Sequence, residues 1–473
     1  MTMKKNSSAF VALGLMMIVF VMVLLVTNWP SPSGSVCEPK VITDAPSKYV
    51  FDIKTPTRCS APNGITTDSA GNVWFVEQNA SRLAKYDMSS GNFTEYTLPV
   101  NHPITWGMAV TPDGDVWLTD ANSSAIIRFD PGSGEFTQYA LSRGSFPMQM
   151  VLGPEGSLWF TELYGHKIGV IKPLDGSLNE FDVDVGAGPT GLAFDSSGSL
   201  WIAMASFTQG LPSYLLNFDR TNASFKRYDM PFAIAQPTGV AVDDQGYVWL
   251  AEHGLSLLGR FDPRTGGLIE VATSAKAGLD TTLPYWLVKD EAGNIWFNEH
   301  YANRIGVLYP QSMVLKEVDI PSRVPTYGNI SNALTIASDQ RGNLWFTEWS
   351  AGKIGFVNAS MLSDLDVQGP SEVNVKVGSN VALELEYASS HESAGPWSLE
   401  ATDSEQGNGT ILRLAATYAL RSQPFVPPLN EAIQVLIGAA DGTQRDIYTM
   451  TLTLRMNEVA VSKTIFVHLR PQL

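Results

Sequence analysis

A seven-residue segment centred on tryptophan occurs seven times in this chain, and it restricts the possible folds more than any other feature. The segments read GNVWFVE, GDVWLTD, GSLWFTE, GSLWIAM, GYVWLAE, GNIWFNE and GNLWFTE, with their tryptophans at Trp74, Trp117, Trp159, Trp201, Trp249, Trp296 and Trp345. Successive tryptophans are 43, 42, 42, 48, 47 and 49 residues apart. We number the repeats 1 to 7 by these tryptophans. Such a period indicates a repeat architecture in which each unit buries its apolar faces against its neighbours.

Each repeat predicts four short strands. An alternating segment such as GMAVTPDG ends in a tight Asp/Gly turn, the tryptophan segment follows, and KIGVIKP and FTEYTLP are typical of a third and an outer strand. This is the pattern of a β-propeller blade, as in NHL-like repeats, with the tryptophan filling the space between sheets. Residues 48–54 supply the outer strand that repeat 7 lacks, so the two ends can pair and close the ring. We therefore predict a seven-bladed β-propeller over residues 48–358.

The period ends after repeat 7, but strand-like runs continue. Residues 369–473 contain segments such as VALELEY and IYTMTLTLRM, after a linker at 359–368. About seven strands in a region of this size predict an immunoglobulin-like β-sandwich, so the whole chain outside its N-terminus is expected to be all-β. No chemistry is visible in this domain, and a spacer or adhesion role is expected.

The N-terminal residues predict a membrane anchor. Lys4 and Lys5 precede an uncharged apolar run from Ala9 to Val26. A run of this length is sufficient to cross a bilayer as a helix, and the lysines before it place the short tail in the cytoplasm. We predict a cytoplasmic tail and transmembrane helix over residues 1–27 and a spacer over 28–47, with the rest of the chain outside the cytoplasm at the cell membrane. A cleaved signal peptide is the alternative.

The cysteines and sequons agree with an exported protein. Cys37 and Cys59 are expected to form one disulfide in an oxidising compartment, with two free thiols as the alternative. Seven N-x-[ST] sequons are candidate glycosylation sites, at Asn79, Asn92, Asn122, Asn222, Asn329, Asn358 and Asn408. The net charge of −16 argues against nucleic acid as a partner. The expected partners are the membrane, through the N-terminal helix, and a glycan, a small molecule or a cell-surface protein.

An acid follows the tryptophan by three residues in six of the seven repeats. These positions lie where the second strand ends, near the mouth of the central channel, and hold Glu77, Asp120, Glu162, Met204, Glu252, Glu299 and Glu348. In four repeats a base five residues later is expected to face the acid across an antiparallel pair, at Arg82, Lys167, Arg304 and Lys353. We interpret those four acids mainly as architectural. Asp120 and Glu252 lack this base, so they are candidates for binding a cation or a ligand.

The same rim carries the candidate site residues. His253 and His300 follow two of the acids and are candidates for a catalytic base. Glu252, Glu299 and Glu348 are candidate ligands for Mg²⁺ or Ca²⁺. The ligand-binding candidates are Asp120, Glu252 and a set of rings that could stack on a sugar or an aromatic ligand. These rings are Trp106, Tyr164, Tyr285, Trp286, Tyr301 and Trp349.

The repeated WFTE and KIG segments resemble those of the virginiamycin B lyase (streptogramin B lyase) family over all seven repeats. The resemblance implies a seven-bladed propeller and an elimination that opens the ester ring of a cyclic depsipeptide antibiotic, with Mg²⁺ held by acids and a histidine as base. The family's histidines lie at the start of the inner strand in the last two repeats. The corresponding residues here, eleven before each tryptophan, are Asn63, Trp106, Met148, Thr190, Thr238, Tyr285 and Leu334. Asn332 replaces the acid that precedes the last histidine, and only Glu348 matches a family carboxylate.

Because none of these seven positions is histidine, we interpret the chain as a membrane-anchored, extracytoplasmic binding or scaffolding propeller. One alternative is a metal-dependent lyase or lactone hydrolase at the channel mouth, in which His253 or His300 is a relocated base. A second alternative is a structural component of a cell-surface layer or complex.

Overall fold

The computed structural model describes residues 39–44, 47–206, 211–230, 235–274, 279, 281–363, 365–376, 379–389, 397–403, 412–416, 429–439, 447–456 and 458–470. The predicted transmembrane helix, Cys37 and Asn408 lie outside these ranges. Within them, no helix has both the length and the apolar character needed to span a membrane. Residues 40–473 form one compact unit.

Nearly all regular structure is β. The strands before residue 358 are β1 (Ile42–Thr43), β2 (Val50–Lys54), β3 (Pro62–Thr67), β4 (Val73–Glu77), β5 (Arg82–Asp87), β6 (Asn92–Thr97), β7 (Met108–Val110), β8 (Val116–Asp120), β9 (Ala125–Asp130), β10 (Glu135–Ala140), β11 (Pro147–Leu152), β12 (Leu158–Glu162), β13 (Lys167–Ile171), β14 (Leu178–Asp182), β15 (Gly188–Phe194), β16 (Leu200–Ala205), β17 (Tyr214–Asp219), β18 (Ser224–Asp229), β19 (Pro237–Val242), β20 (Val248–Glu252), β21 (Leu257–Asp262), β22 (Gly267–Ala272), β23 (Pro284–Lys289), β24 (Ile295–Glu299), β25 (Arg304–Tyr309), β26 (Val314–Asp319), β27 (Ser322–Arg323), β28 (Ile336–Ser338), β29 (Leu344–Glu348) and β30 (Lys353–Val357). The later strands are β31 (Leu365–Gln368), β32 (Glu372–Lys376), β33 (Asn380–Ser389), β34 (Trp397–Asp403), β35 (Leu412–Ala416), β36 (Leu429–Ala439), β37 (Ile447–Met456) and β38 (Val459–Arg470). Short helical segments span Gln78–Ala80, Pro325–Tyr327 and Ala359–Leu362.

The repeats form antiparallel four-stranded sheets, as their sequence pattern predicts. Repeats 1 to 5 are the separate sheets β3–β6, β7–β10, β11–β14, β15–β18 and β19–β22. Repeat 7 contains β28, β29 and β30, and its outer strand is β2 from the other end of the propeller. Val50–Lys54 pairs in register with Lys353–Val357, which confirms the predicted closure of the ring.

Repeat 6 differs from the prediction. Its strands β23–β26 belong to an eight-stranded sheet, because the outer strand β26 pairs with β38 of the C-terminal region. The sheet continues from β38 to β37 and then to β34, and β32 also pairs with β38. The prediction of seven separate blades is therefore wrong: the described chain has six separate four-stranded blades, and the strands of repeat 6 are part of a larger sheet. The outer strand explains the difference. β26 is almost entirely buried, whereas β10, in the same position of repeat 2, alternates between exposed and half-buried residues.

The C-terminal strands pack directly on the propeller. Phe466 of β38 joins an apolar cluster that contains Trp249 and Phe297 of repeats 5 and 6. The Thr449 hydroxyl of β37 donates to the backbone carbonyl of Glu270 at 2.5 Å. The remaining C-terminal strands form a second sheet in the order β31, β33, β36 and β35. The region is thus joined to repeat 6 by a strand ladder, and its immunoglobulin-like topology stays a prediction.

The repeat tryptophan fills the space between neighbouring sheets. The ring of Trp74 lies 6.0 Å from that of Phe129 in repeat 2, and the ring of Trp201 lies 5.8 Å from that of Phe261 in repeat 5. Both tryptophans are buried. The predicted role of this residue as the filler between sheets is confirmed.

An aspartate six residues before the tryptophan, which the sequence analysis missed, binds the indole. The Nε1 groups of Trp249 and Trp296 donate to Asp243 and Asp290, each at 2.8 Å. Trp74, Trp201 and Trp345 make the same bond with their own aspartates. The carboxylate also accepts backbone N–H groups of its own turn, such as that of Asn294 at 2.9 Å. One side chain therefore ties the turn after the inner strand to the core of the blade.

Asp290→Ala is expected to lower the free energy of unfolding by about 1–3 kcal/mol, because it leaves the buried indole N–H of Trp296 without an acceptor. Urea unfolding measures the loss. Asp113→Ala is the matched control: it changes the exposed turn of repeat 2, where the indole of Trp117 has no hydrogen-bond partner among the described residues. It should change stability by less than about 0.5 kcal/mol. Equal losses in the two variants would contradict the proposed role of the aspartate.

The inner strands of neighbouring repeats meet backbone to backbone. A Cβ atom on Gly239 of β19 would overlap the backbone nitrogen of Leu287 and lie 2.7 Å from the carbonyl oxygen of Tyr285, both in repeat 6. Beside it, the Thr238 hydroxyl donates to the same Tyr285 carbonyl at 2.6 Å. Thr190 makes the equivalent bond to the Pro237 carbonyl at 2.9 Å. These contacts determine where the first residues of each inner strand lie around the channel.

Candidate functional site

One face of the propeller carries the candidate residues. It consists of the loops between the second and third strands of each repeat and the loops that lead into each inner strand, and we call it the upper face. The loops at 163–166, 253–256 and 300–303 belong to it, because each follows the end of a second strand. The turns between third and outer strands lie on the opposite, lower face.

Five rings meet at the centre of the upper face. Tyr285 lies 5.3 Å from His253, 5.4 Å from His300, 5.9 Å from Trp106 and 4.9 Å from Trp286, measured between ring centroids. His253 and His300 are stacked at 5.1 Å. We call these five residues the mouth cluster. Trp106 belongs to repeat 2 and Tyr285 to repeat 6, so their contact spans the channel.

Tyr164 lies near the mouth cluster and is half-exposed. Its side chain is 49% exposed, and its ring lies 5.0 Å from that of Phe146. Burial, and then the nearby phenol of Tyr164, raises the pKa of Tyr285. Phe146 and Val185, which is 77% exposed, add apolar surface that the sequence analysis missed. The sequence did contain a signal for this apolar surface: Phe146 and Val185 are the large apolar residues of the otherwise small or polar loops SRGSF and DVGAG.

Both histidines are buried and neutral. Burial lowers the pKa of His253 to about 4, and burial together with His253 lowers that of His300 to about 3. Nδ1 of His253 lies 3.1 Å from the Pro284 carbonyl, so in the neutral ring Nδ1 donates and Nε2 is left as the acceptor. The described residues contain no group of three or more His, Cys, Asp or Glu that could hold a metal ion. The structure thus brings the two imidazoles together without a carboxylate beside them.

Asp120 is occupied by its own loop. Its carboxylate accepts the backbone N–H groups of Ile104 at 2.9 Å and Asn122 at 3.1 Å, and it also binds Ser123. Asp120 does lie opposite Ala125 and not a base, as predicted, but backbone N–H groups satisfy its carboxylate. Its role in binding a ligand stays a prediction.

The acids proposed as metal ligands do not line the channel. Glu252, Glu299 and Glu348 are buried within their blades. In the antiparallel pairing of β29 with β30, Glu348 lies opposite Lys353, as predicted. The bases form their ion pairs with other acids, however: Arg82 with Glu95 (2.7 Å), Lys167 with Glu180 (2.9 Å), Arg304 with Asp319 (2.8 Å) and Lys353 with Asp52 (3.0 Å). These partners are on or next to the outer strand, nearer to solvent, where a charge pair keeps more hydration.

Two aromatic candidates lie away from the mouth cluster. Nε1 of Trp349 donates to the Gln78 side chain at 3.1 Å, and its ring packs edge-on against Tyr327 at 5.7 Å. Trp349 therefore joins the loops of repeats 7 and 1. Tyr301 is 38% exposed on the loop after β24.

Cys59 and the sequon asparagines are distributed over several repeats and over both faces of the propeller. Cys59 is disulfide-bonded, and Cys37, its predicted partner, lies outside the described residues. The side-chain amide of Asn79 donates to the Cys59 carbonyl at 3.1 Å, and Asn358 caps the helix Ala359–Leu362. The exposed sequon asparagines are Asn92, Asn122, Asn222 and Asn329.

Comparisons with known proteins find one matching family model and several similar solved structures. Residues 40–209 match the family model described as the virginiamycin B lyase family. No curated protein is a significant match. Among solved structures, a streptogramin B lyase is 26% identical with a TM-score of 0.57, over 66% of this chain and 97% of that one. Virginiamycin B lyase from Staphylococcus aureus is 23% identical with a TM-score of 0.57, over 65% and 98%.

A third similar structure contains a ligand. It is a catalytically inactive histidine-to-alanine variant of the Staphylococcus aureus virginiamycin B lyase with Quinupristin, 24% identical with a TM-score of 0.56, over 65% of this chain and 98% of that one. The propeller of this chain therefore resembles that of the streptogramin lyases.

Proposed function

We propose that the chain is a membrane-anchored, extracytoplasmic propeller that binds a ring-bearing ligand on its upper face without converting it. The observation that carries the proposal is the composition of the mouth cluster. Aromatic rings and two neutral imidazoles occupy the centre, where the family resemblance implies a histidine base and a carboxylate-held Mg²⁺. A histidine with a pKa of about 4 is a poor proton acceptor at neutral pH.

The surface chemistry suits such a ligand. Tyr164 presents a half-exposed ring beside Phe146, and aromatic faces bind sugar or aromatic rings by stacking. The indole N–H groups of Trp106 and Trp286 have no hydrogen-bond partner among the described residues, so the cluster retains donors for oxygen atoms. Quinupristin is the ligand present in one lyase structure, and it is a suitable first probe.

The location follows from the N-terminal part of the chain. The uncharged run from Ala9 to Val26, with lysines before it, supports a single membrane anchor. The disulfide at Cys59 supports an oxidising compartment for the propeller.

Tyr164→Ala is expected to weaken quinupristin binding at least tenfold, about 1.4 kcal/mol, because it removes the exposed stacking ring. Titration calorimetry on the full chain measures the affinity, and mass spectrometry of the same mixture shows that the ligand is unchanged. Leu174→Ala is the control, since Leu174 is 98% exposed in a turn of the lower face. Equal affinity of the two variants would contradict binding at Tyr164.

Turnover would support the enzyme alternative instead. If the wild-type chain opens the ring of the probe and His253→Ala or His300→Ala abolishes that product, the upper face is catalytic. If the wild type neither binds nor converts the probe but self-associates in solution, the structural alternative is favoured.

A further inference from the structure

Five repeats place a second carboxyl group beside a fully buried one. The pairs are Glu77 with Glu95, Glu162 with Glu180, Glu252 with Glu270, Glu299 with Glu317, and Glu348 with Asp52. We infer that these pairs act together as a pH-sensitive device: each pair holds one proton at neutral pH, and the propeller loses stability as the pH rises from about 5 to about 8.

A small residue of the third strand lies opposite the outer acid in each of these five repeats. In register, Gly169 lies opposite Glu180, Gly259 opposite Glu270, and Ala84, Gly306 and Gly355 occupy the same position in repeats 1, 6 and 7. A Cβ atom on Gly259 would overlap Oε1 of Glu252, so the inner acid extends over this glycine toward the outer strand. In repeat 5 the two carboxyl groups therefore meet across the third strand.

The inner acid of each pair is buried and forms no ion pair among the described residues. Glu77, Glu162, Glu252, Glu299 and Glu348 have no exposed surface, and their carboxylate oxygens have no donor in hydrogen-bonding geometry among the described residues. Burial of an ionised carboxylate without donors is costly, so the neutral acid is favoured.

The outer acid carries the charge. Glu95 binds Arg82 at 2.7 Å and accepts the Thr57 hydroxyl, while Glu180 binds Lys167 at 2.9 Å. Burial acts to raise the pKa of Glu95, but hydrogen bonds from Glu77, Thr57 and Arg82 lower it overall. In repeat 1 the pair thus divides into an outer acid that holds the charge and an inner acid that can donate to it.

Acids, bases and hydroxyl groups of the described residues face each inner acid. Glu77 faces Glu95 and the Thr57 hydroxyl, Glu162 faces Glu180, Lys167 and the Ser145 hydroxyl, and Glu252 faces Glu270. Glu299 faces Glu317, Arg304 and the Thr273 and Thr282 hydroxyls, and Glu348 faces Asp52, Lys353 and the Ser331 hydroxyl. Leu257 replaces the base in repeat 5. In repeat 4 the inner position is Met204, which shows that an uncharged side chain fits there.

The direction of the pH effect follows from the pKa values. Burial, and then the neighbouring acid, raises the pKa of Glu77, Glu162 and Glu299 from 4.5 to about 8, and raises those of Glu252 and Glu348 well above 4.5. The folded state therefore binds these protons more tightly than the unfolded chain. Their stabilising contribution is complete below pH 4.5 and is lost as the pH rises through about 8.

Urea unfolding of the full chain from about pH 5 to pH 9 tests this inference. Each inner acid lowers stability as the pH rises between its unfolded and folded pKa values, because only the folded state keeps its proton there. Glu→Gln at Glu77, Glu162 and Glu299 together keeps the side-chain shape and should reduce the fall in the folding equilibrium constant between about pH 5 and pH 8 by at least tenfold. Glu135→Gln, on the exposed outer strand β10, should leave the pH dependence unchanged.

Two results would overturn the inference. One is a wild-type stability that does not fall between about pH 5 and pH 8, and the other is a triple variant with the wild-type pH dependence. If the triple variant does not fold, infrared absorption of the native wild type decides. Protonated carboxyl groups that are present at pH 7 and titrate near pH 8 support the device, and their absence at pH 7 refutes it.

Discussion

Replacing Arg304 by methionine is expected to lower the free energy of unfolding by about 3–5 kcal/mol, the cost of removing one partner of a buried charge network. The Arg304 side chain is 1% exposed; its Nε group donates to Asp319 at 2.8 Å and its Nη1 group to the Ser274 carbonyl at 3.0 Å. It also faces Glu299 and Glu317, and these acids raise its pKa even though burial, the largest influence, lowers it. Methionine would fill the space but leave these acids without their base.

Arg82→Met is the matched control for this prediction. Arg82 has the same place in repeat 1, at the start of the third strand, and it also binds an outer-strand acid. Its side chain is 42% exposed, so the ion pair is screened and its loss should cost less than about 1 kcal/mol. Urea unfolding of both variants at pH 7 measures the difference. Similar losses of stability in the two variants would mean that the burial of Arg304 does not determine the cost of replacing it.

Gly239→Ala is expected to lower the free energy of unfolding by about 3 kcal/mol, at the upper end for overpacking of a core. The added Cβ would overlap backbone atoms of repeat 6, which cannot rotate away as a side chain could. The inner strands of repeats 5 and 6 would have to separate, and Tyr285 and the mouth cluster would move with them. Thermal unfolding should show a melting temperature lower by about 3–5 °C, and quinupristin affinity should fall in the same variant.

Gly186→Ala separates the steric effect from a general effect of replacing glycine. The nearest atoms to a Cβ at this position belong to the Asp184 carboxylate, at 3.7–3.9 Å, which is ordinary contact distance. We expect a change of less than about 0.5 kcal/mol. If Gly239→Ala is equally mild, the inner strands are more loosely packed than the structure indicates.

The sequence predicted the features that each repeat contains within itself. The tryptophan, the turn glycine and the alternating strands recur in every repeat, so their spacing predicts the strands, and residues 48–54 predict the closure at β30. The register of Glu348 with Lys353 could also be predicted, because a short hairpin determines it. The aspartate before the tryptophan was equally local and could have been recognised.

What the sequence by itself determined was the blade and the circular array. The tertiary structure alone decided which residues of different repeats meet: Trp106 with Tyr285 across the channel, and β26 with β38 at its outer edge. It also decided that the recurring acids meet other acids rather than the bases beside them. The physical reason is that strand patterns follow from contacts near in sequence, whereas burial, charge and proton occupancy depend on surfaces that come together only when the ring closes.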